Sequence, residues 1–117
     1  MRLPATWMLH RFRSAFFHEN LLLIVLGLLS ESELSEWEIL SSLFAKYEST
    51  PNDKEFRRLV ESIVNGGYAS FEGKVGNRKL RLNKRGITLL RRLKEEYRSV
   101  VSKTVRYQGI NAERARR

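Results

Sequence analysis

Residues 21–29 read LLLIVLGLL, eight large apolar side chains and a glycine without a polar position among them. A helix made of them offers water no side, so other parts of the chain must enclose it on every face. A chain of 117 residues has material for one modest core, and this run marks its centre. It has about half the ~20 residues that a membrane-spanning helix needs. A secretory leader is also a poor reading, because no small-residue cleavage site follows and Glu31 and Glu33 arrive at once. The expectation is a cytoplasmic chain with no membrane partner. Cysteine is absent, which removes disulfides, zinc knuckles and thiol chemistry.

Helical spacing organises most of the remainder. In the arm formed by residues 1–19, Met8, Phe12, Ala15 and Phe16 recur at steps of three and four after Pro4. Asn20 is placed to cap the apolar run, and the sequence leaves open whether arm and run form one helix or two. Ser35 followed by Glu38 has the spacing of a capping box, so a second helix is expected over residues 36–47, with Trp37, Leu40, Leu43, Phe44 and Tyr47 on one stripe. Pro51 breaks it, and Asn52 or Thr50 can cap a third helix over residues 53–65. That helix buries Phe56, Leu59, Val60 and Ile63 and exposes Lys54, Arg57, Arg58, Glu61, Ser62 and Asn65. Gly66 and Gly67 end it, one of them in the left-handed conformation.

The period then changes to two. Residues 68–72 and 78–82 are expected to pair as antiparallel strands across GKVGN, where Gly73, Gly76 and Asn77 supply positive φ angles. Leu80 and Leu82 share one face, and Lys79 and Arg81 the other. A last helix over residues 83–108 carries Leu90, Leu93, Tyr97, Val100 and Thr104 at heptad-like steps suited to a seam with another helix. The basic segment 109–117 reads as a frayed tail. The divisions are therefore an arm at 1–19, a core at 20–83, a terminal helix at 84–108 and the tail. The class is mainly α with a small β-hairpin (α+β), and three helices followed by a two-stranded ribbon is the layout of a winged helix-turn-helix.

Charge points to the ligand class. The net charge is +9, which favours a polyanionic partner. From Lys74 to Lys94 nine residues are basic and none is acidic, whereas residues 30–55 hold seven acids and two bases. One face should attract phosphate while another repels it. Lys74, Arg78, Lys79 and Arg81 are the ribbon's candidates for gripping phosphate. Arg57 and Arg58 can address guanine edges or phosphate, Lys54 a phosphate near the helix start, and Ser62 is a further DNA-binding candidate on the same exposed side. Asp53, Glu55 and Glu61 leave that helix nearly neutral. The bland counterpart is a solvated, solubilising hairpin, against which stands the lack of mixed signs. Arg2, Arg11, Arg13, Arg114, Arg116 and Arg117 serve equally well as arms along DNA or as solubilising ends. Trp37 reads as a core or pocket residue.

The stretch LGLLSESELSEWEIL, residues 26–40, resembles the opening of PadR-type winged-helix regulators, with Trp37, Glu38 and Ile39 matching by type and Ser35 and Glu36 departing from the family's histidine and glycine. Phe56, Val60, Ile63 and Gly67 fall where that family keeps its recognition-helix leucines and closing glycine, and LNKRG at 82–86 is similar to its wing exit. Small archaeal winged-helix proteins show the same pattern. The resemblance covers residues 21–93. It implies a homodimeric regulator that binds double-stranded DNA and dimerises through its terminal helices, here through Phe12, Phe16, Leu90, Leu93, Tyr97 and Val100. A small-molecule effector is compatible with it, but no residue calls for one.

Catalysis finds no support. His10 and His18 are the two histidines, both on the arm, and no nucleophile or acid pair has a motif around it. No cofactor or metal is expected. Two other readings compete with the sequence-specific regulator: a chromatin-like architectural protein with little sequence preference, and a winged-helix module that binds a protein partner.

Overall fold

The computed structural model describes residues 5–116, with side chains through residue 104. Arg2 and Arg117, and the side chains of Arg114 and Arg116, lie outside the described residues. The order is α1 (Ala5–Glu19), α2 (Leu21–Glu31), α3 (Glu36–Tyr47), α4 (Asp53–Asn65), β1 (Ala69–Glu72), β2 (Lys79–Leu82) and α5 (Lys84–Arg116). The last helix thus continues beyond position 108. No single helix among the described residues is long and apolar enough to cross a membrane.

The apolar helix α2 is the hub. Leu21, Val25, Leu26, Leu28 and Leu29 are buried, and Leu22, Leu23 and Ile24 are partly buried against the same core. It packs on α5 and β2, with α1 at its start. Ile39 and Leu43 of α3, Phe56, Val60 and Ile63 of α4, Leu80 and Leu82 of β2 and Leu90 of α5 close the core around it.

Arm and hub are two helices, bent by 69°. Asn20 stands at the break but does not cap α2. Its side-chain amide instead donates to the Phe16 carbonyl (2.9 Å), as does its backbone N–H (3.0 Å), closing the end of α1. On α1, Met8 and Phe12 of the apolar spacing are exposed, and Phe17, at the end next to the bend, is the residue that enters the core.

Both other expected caps form. Ser35 and Glu38 make the reciprocal capping box of α3, and the Asn52 side chain accepts from the Glu55 N–H at 2.8 Å. Glu48 closes α3 at a φ of 55°. The stripe of α3, however, is mostly outside: Leu43 is buried, Leu40 is partly buried, and Trp37 and Phe44 are exposed. Ile39 takes the core position instead.

The hairpin register pairs Ala69 with Leu82, Ser70 with Arg81, Phe71 with Leu80 and Glu72 with Lys79. Gly73 and Gly76 have positive φ. Asn77 does not; its N–H donates to the Lys74 carbonyl at 2.9 Å and closes the turn. A third segment joins from a distance. Leu34, between α2 and α3, exchanges backbone hydrogen bonds with Leu80, 3.2 Å from the Leu34 N–H and 2.7 Å from the Leu80 N–H.

The hairpin's exit is tightly held. Asn83 donates its side-chain amide to the Gly67 carbonyl (2.7 Å) and its N–H to the Tyr68 carbonyl (3.1 Å), while its side-chain oxygen accepts from the Gly86 N–H (3.1 Å). One residue thereby caps α5 and pins it to the end of α4. Gly86 is buried, and a Cβ there would meet the Tyr68 carbonyl oxygen and the Leu82 side chain. Replacing Gly86 with alanine is expected to lower stability by about 1–3 kcal/mol through overpacking against backbone. A urea titration followed by far-UV circular dichroism checks this, and an unchanged midpoint would show that the helix can move away without cost.

Candidate nucleic-acid interface

α4 has one apolar and one polar side, with Phe56, Val60 and Ile63 buried. Lys54, Arg57, Arg58 and Ser62 are all exposed, as their spacing predicts. The helix leads through Gly66 and Gly67, the latter at φ 77°, directly into β1. α4 and the ribbon are therefore held together by a short glycine link and by the Asn83 clasp. Glu55 is not free on this helix, since the Nδ1 of His18 lies 3.3 Å from its carboxylate and ties α1 to α4.

The ribbon's cations are in unequal surroundings. Lys74 is exposed in the turn. Arg78 lies over the Phe71 ring, 3.9 Å from its centroid, a contact that steadies the guanidinium while leaving its charge intact. Lys79 and Arg81 contradict the expectation of acid-free surroundings. The Lys79 Nζ is 3.6 Å from a Glu38 oxygen, and an Arg81 nitrogen 3.4 Å from a Glu72 oxygen. Strand pairing returns Glu72 to the cationic strand, and the Leu34 bridge sets the start of α3 beside it. Both pairs are exposed, a setting in which ion pairs contribute about 0–1 kcal/mol. Glu38 is held below the usual carboxylate range, first by the Ser35 N–H and then by the Ser35 hydroxyl, with Lys79 adding to the effect against some desolvation. It is charged at neutral pH, so Lys79 is partly neutralised.

Two features escaped the sequence reasoning. Val75 at the turn is 96% exposed, an apolar tip set between Lys74 and Gly76. Its signal was its place inside a glycine-flanked turn, where no core can reach it. Lys84 and Arg85 occupy the first turn of α5, which holds no acid, against the preference of a helix start for negative charge. Arg85 also lies over Tyr68, 5.1 Å from the ring centroid.

The expected dimerisation residues divide. Leu90 is buried in its own core and Leu93 packs against it, so Leu90 is not available to a second copy. Here the heptad spacing marks the seam of α5 with α2. Phe16 meets Tyr97 edge to face at 6.0 Å, docking α1 on α5 within one chain. Phe12 and Val100 are exposed, beside Trp7, Met8, Leu9 and Val101 on the same two helices.

No protein-family model matches the chain, and no curated protein matches it. Solved structures do. A transcriptional regulator from Clostridium thermocellum superposes with a TM-score of 0.67 at 18% identity, over 80% of this chain and 96% of its own. F93 from STIV, a winged-helix DNA-binding protein, superposes with a TM-score of 0.60 at 18% identity, over 70% of this chain and 90% of its own. Helices α2 to α4, the hairpin, the Leu34 bridge and α5 together make a winged-helix fold.

Proposed function

We propose that this chain is a transcription regulator that binds double-stranded DNA, with α4 in a major groove and the hairpin against the flanking backbone. The observation that carries this is the uncovered polar side of α4, with Lys54, Arg57, Arg58 and Ser62 all exposed opposite its buried stripe and followed directly by the basic ribbon. Lys74 and Arg78 extend the grip into the wing. Lys79 and Arg81 contribute once phosphate displaces Glu38 and Glu72, an exchange that costs little because both pairs are exposed. The solved structures add support, since one is itself described as a winged-helix DNA-binding protein.

The acids Asp53, Glu55 and Glu61 on α4 favour a variant of the same reading in which phosphate contacts outweigh base contacts. Binding would then be architectural, with little difference between operator and random duplex. A homodimer completes the proposal. Phe12, Tyr97 and Val100, with Val101, form the apolar surface of α1 and α5 that a second copy would cover.

Fluorescence anisotropy with a labelled random duplex is expected to show binding at about 50 mM salt that weakens roughly a hundredfold or more by about 200 mM, as four or more phosphate contacts require. Lys74→Glu should reduce the salt slope by about 1 or more, and Arg58→Ala should cost about 1–3 kcal/mol if it reads a base. Absence of binding at the lower salt would contradict the proposal. Sedimentation velocity should show a dimer that Phe12→Glu and Val100→Glu each convert to monomer, and a monomer at every concentration of the unaltered chain would remove the dimer.

A further inference from the structure

The exposed side of α3 is the part of the domain that neither the core nor the cationic surface uses. A cleft of about 390 Å³ lies there between α3 and the start of α4, lined by Trp37, Leu40, Phe44, Thr50, Pro51 and Asp53. Trp37 is 75% exposed and Phe44 63%. Positions 37, 40 and 44 follow one another at steps of three and four, so they form one apolar ridge along the helix. The helix holds itself to the fold with Ile39 and Leu43, both fully buried, and with Leu40, partly buried against the core, so Trp37 and Phe44 are the members of the ridge that folding does not use.

The surroundings of this ridge are acidic. Asp53 lines the cleft, Glu33 and Glu36 stand at the N-terminal end of α3, and Glu48 follows its last turn. Among the described residues, the ion pairs engage other carboxylates: those of Glu38, Glu55 and Glu72. Glu33, Glu36, Glu48 and Asp53 take part in no ion pair among the described residues, in a chain whose net charge is +9. A nucleic acid would be repelled here. An exposed tryptophan in an apolar ridge with a charged rim is the composition of a protein-binding hot spot.

We propose that this face of α3 docks an amphipathic, basic helix of another protein. The partner's apolar side lies against Trp37, Leu40 and Phe44, and its flanking Lys and Arg residues meet Glu33, Glu36, Glu48 and Asp53, the helix-in-groove mode of recognition. The inference does not rest on DNA binding.

The test uses the full chain and a fluorescently labelled synthetic amphipathic helix, with leucines at three- and four-residue spacing flanked by lysines. Its control is the same peptide with glutamates for the lysines. The lysine peptide is expected to bind saturably, and the glutamate peptide not at all. Trp37→Ala, Phe44→Ala and the pair Glu33→Lys, Glu36→Lys should each weaken binding by about tenfold or more, while circular dichroism stays unchanged and the urea midpoint falls only for the charge reversal, because Glu36 sits in the first turn of α3. With Trp7→Phe leaving Trp37 as the one tryptophan of the two in the chain, the lysine peptide should shift its emission to shorter wavelength. Equal binding of both peptides, no binding of either, or binding that ignores these substitutions would overturn the proposal. So would a dimer of the chain alone that Trp37→Ala dissolves, because the occupant would then be a second copy.

Discussion

The enclosure of α2 is the constraint from which the other placements follow. A helix with no polar side must be covered all round, and here α1, α3, α5 and β2 supply the cover. Meeting that demand takes Phe17 of α1, Ile39 and Leu43 of α3, Phe56, Val60 and Ile63 of α4 and Leu90 of α5 inward. What remains outside is the polar side of α4, the turn of the hairpin, Trp37 and Phe44 on α3, and apolar side chains of α1 and α5 such as Phe12 and Val100. The exposed face of α4 and the ribbon is thus what a packing solution leaves over, held in place by two connections that are not themselves apolar: the Leu34–Leu80 backbone pair and the Asn83 clasp on Gly67 and Tyr68.

Charge is divided along the same lines. The acids of residues 30–55 collect around α3, and the bases of residues 74–94 on the hairpin and the start of α5. The two territories touch at Glu38 and Lys79. That contact links the capping box of α3 to the wing, so the carboxylate that starts the helix also holds a cation of the ribbon. Exposed pairs of this kind add little stability, but they fix where an incoming phosphate must compete. On α4 and the ribbon, the cations outside any ion pair among the described residues are then Lys54, Arg57, Arg58 and Lys74, together with Arg78 held over Phe71.

Local features were legible in the sequence. The capping box at Ser35, the Asn52 cap, the stripe of α4 and the alternation of the hairpin depend on residues a few positions apart, and each forms as the spacing predicts. Features set by distant segments were not legible. Phe17, which the apolar spacing of α1 does not include, enters the core next to the bend at Asn20, and Trp37 is left outside because α3 has apolar residues on more sides than the core takes. The heptad of α5 predicts a seam with another helix, and the seam forms with α2 of the same chain, where Leu90 is buried; spacing tells that a helix has a partner but not which one. Strand pairing, likewise, brought Glu72 to Arg81 from outside the acid-free run.

The central claim is that the molecule presents DNA with α4 and the wing while the acidic, apolar side of α3 faces elsewhere. Backbone amide chemical shifts recorded during titration with a short duplex at low salt test it residue by residue. The account predicts shifts at the exposed positions of α4 and across residues 73–79, with the amides of Trp37, Ser41 and Phe44 unmoved. Shifts confined to α3 or α1, or none at all, would contradict it.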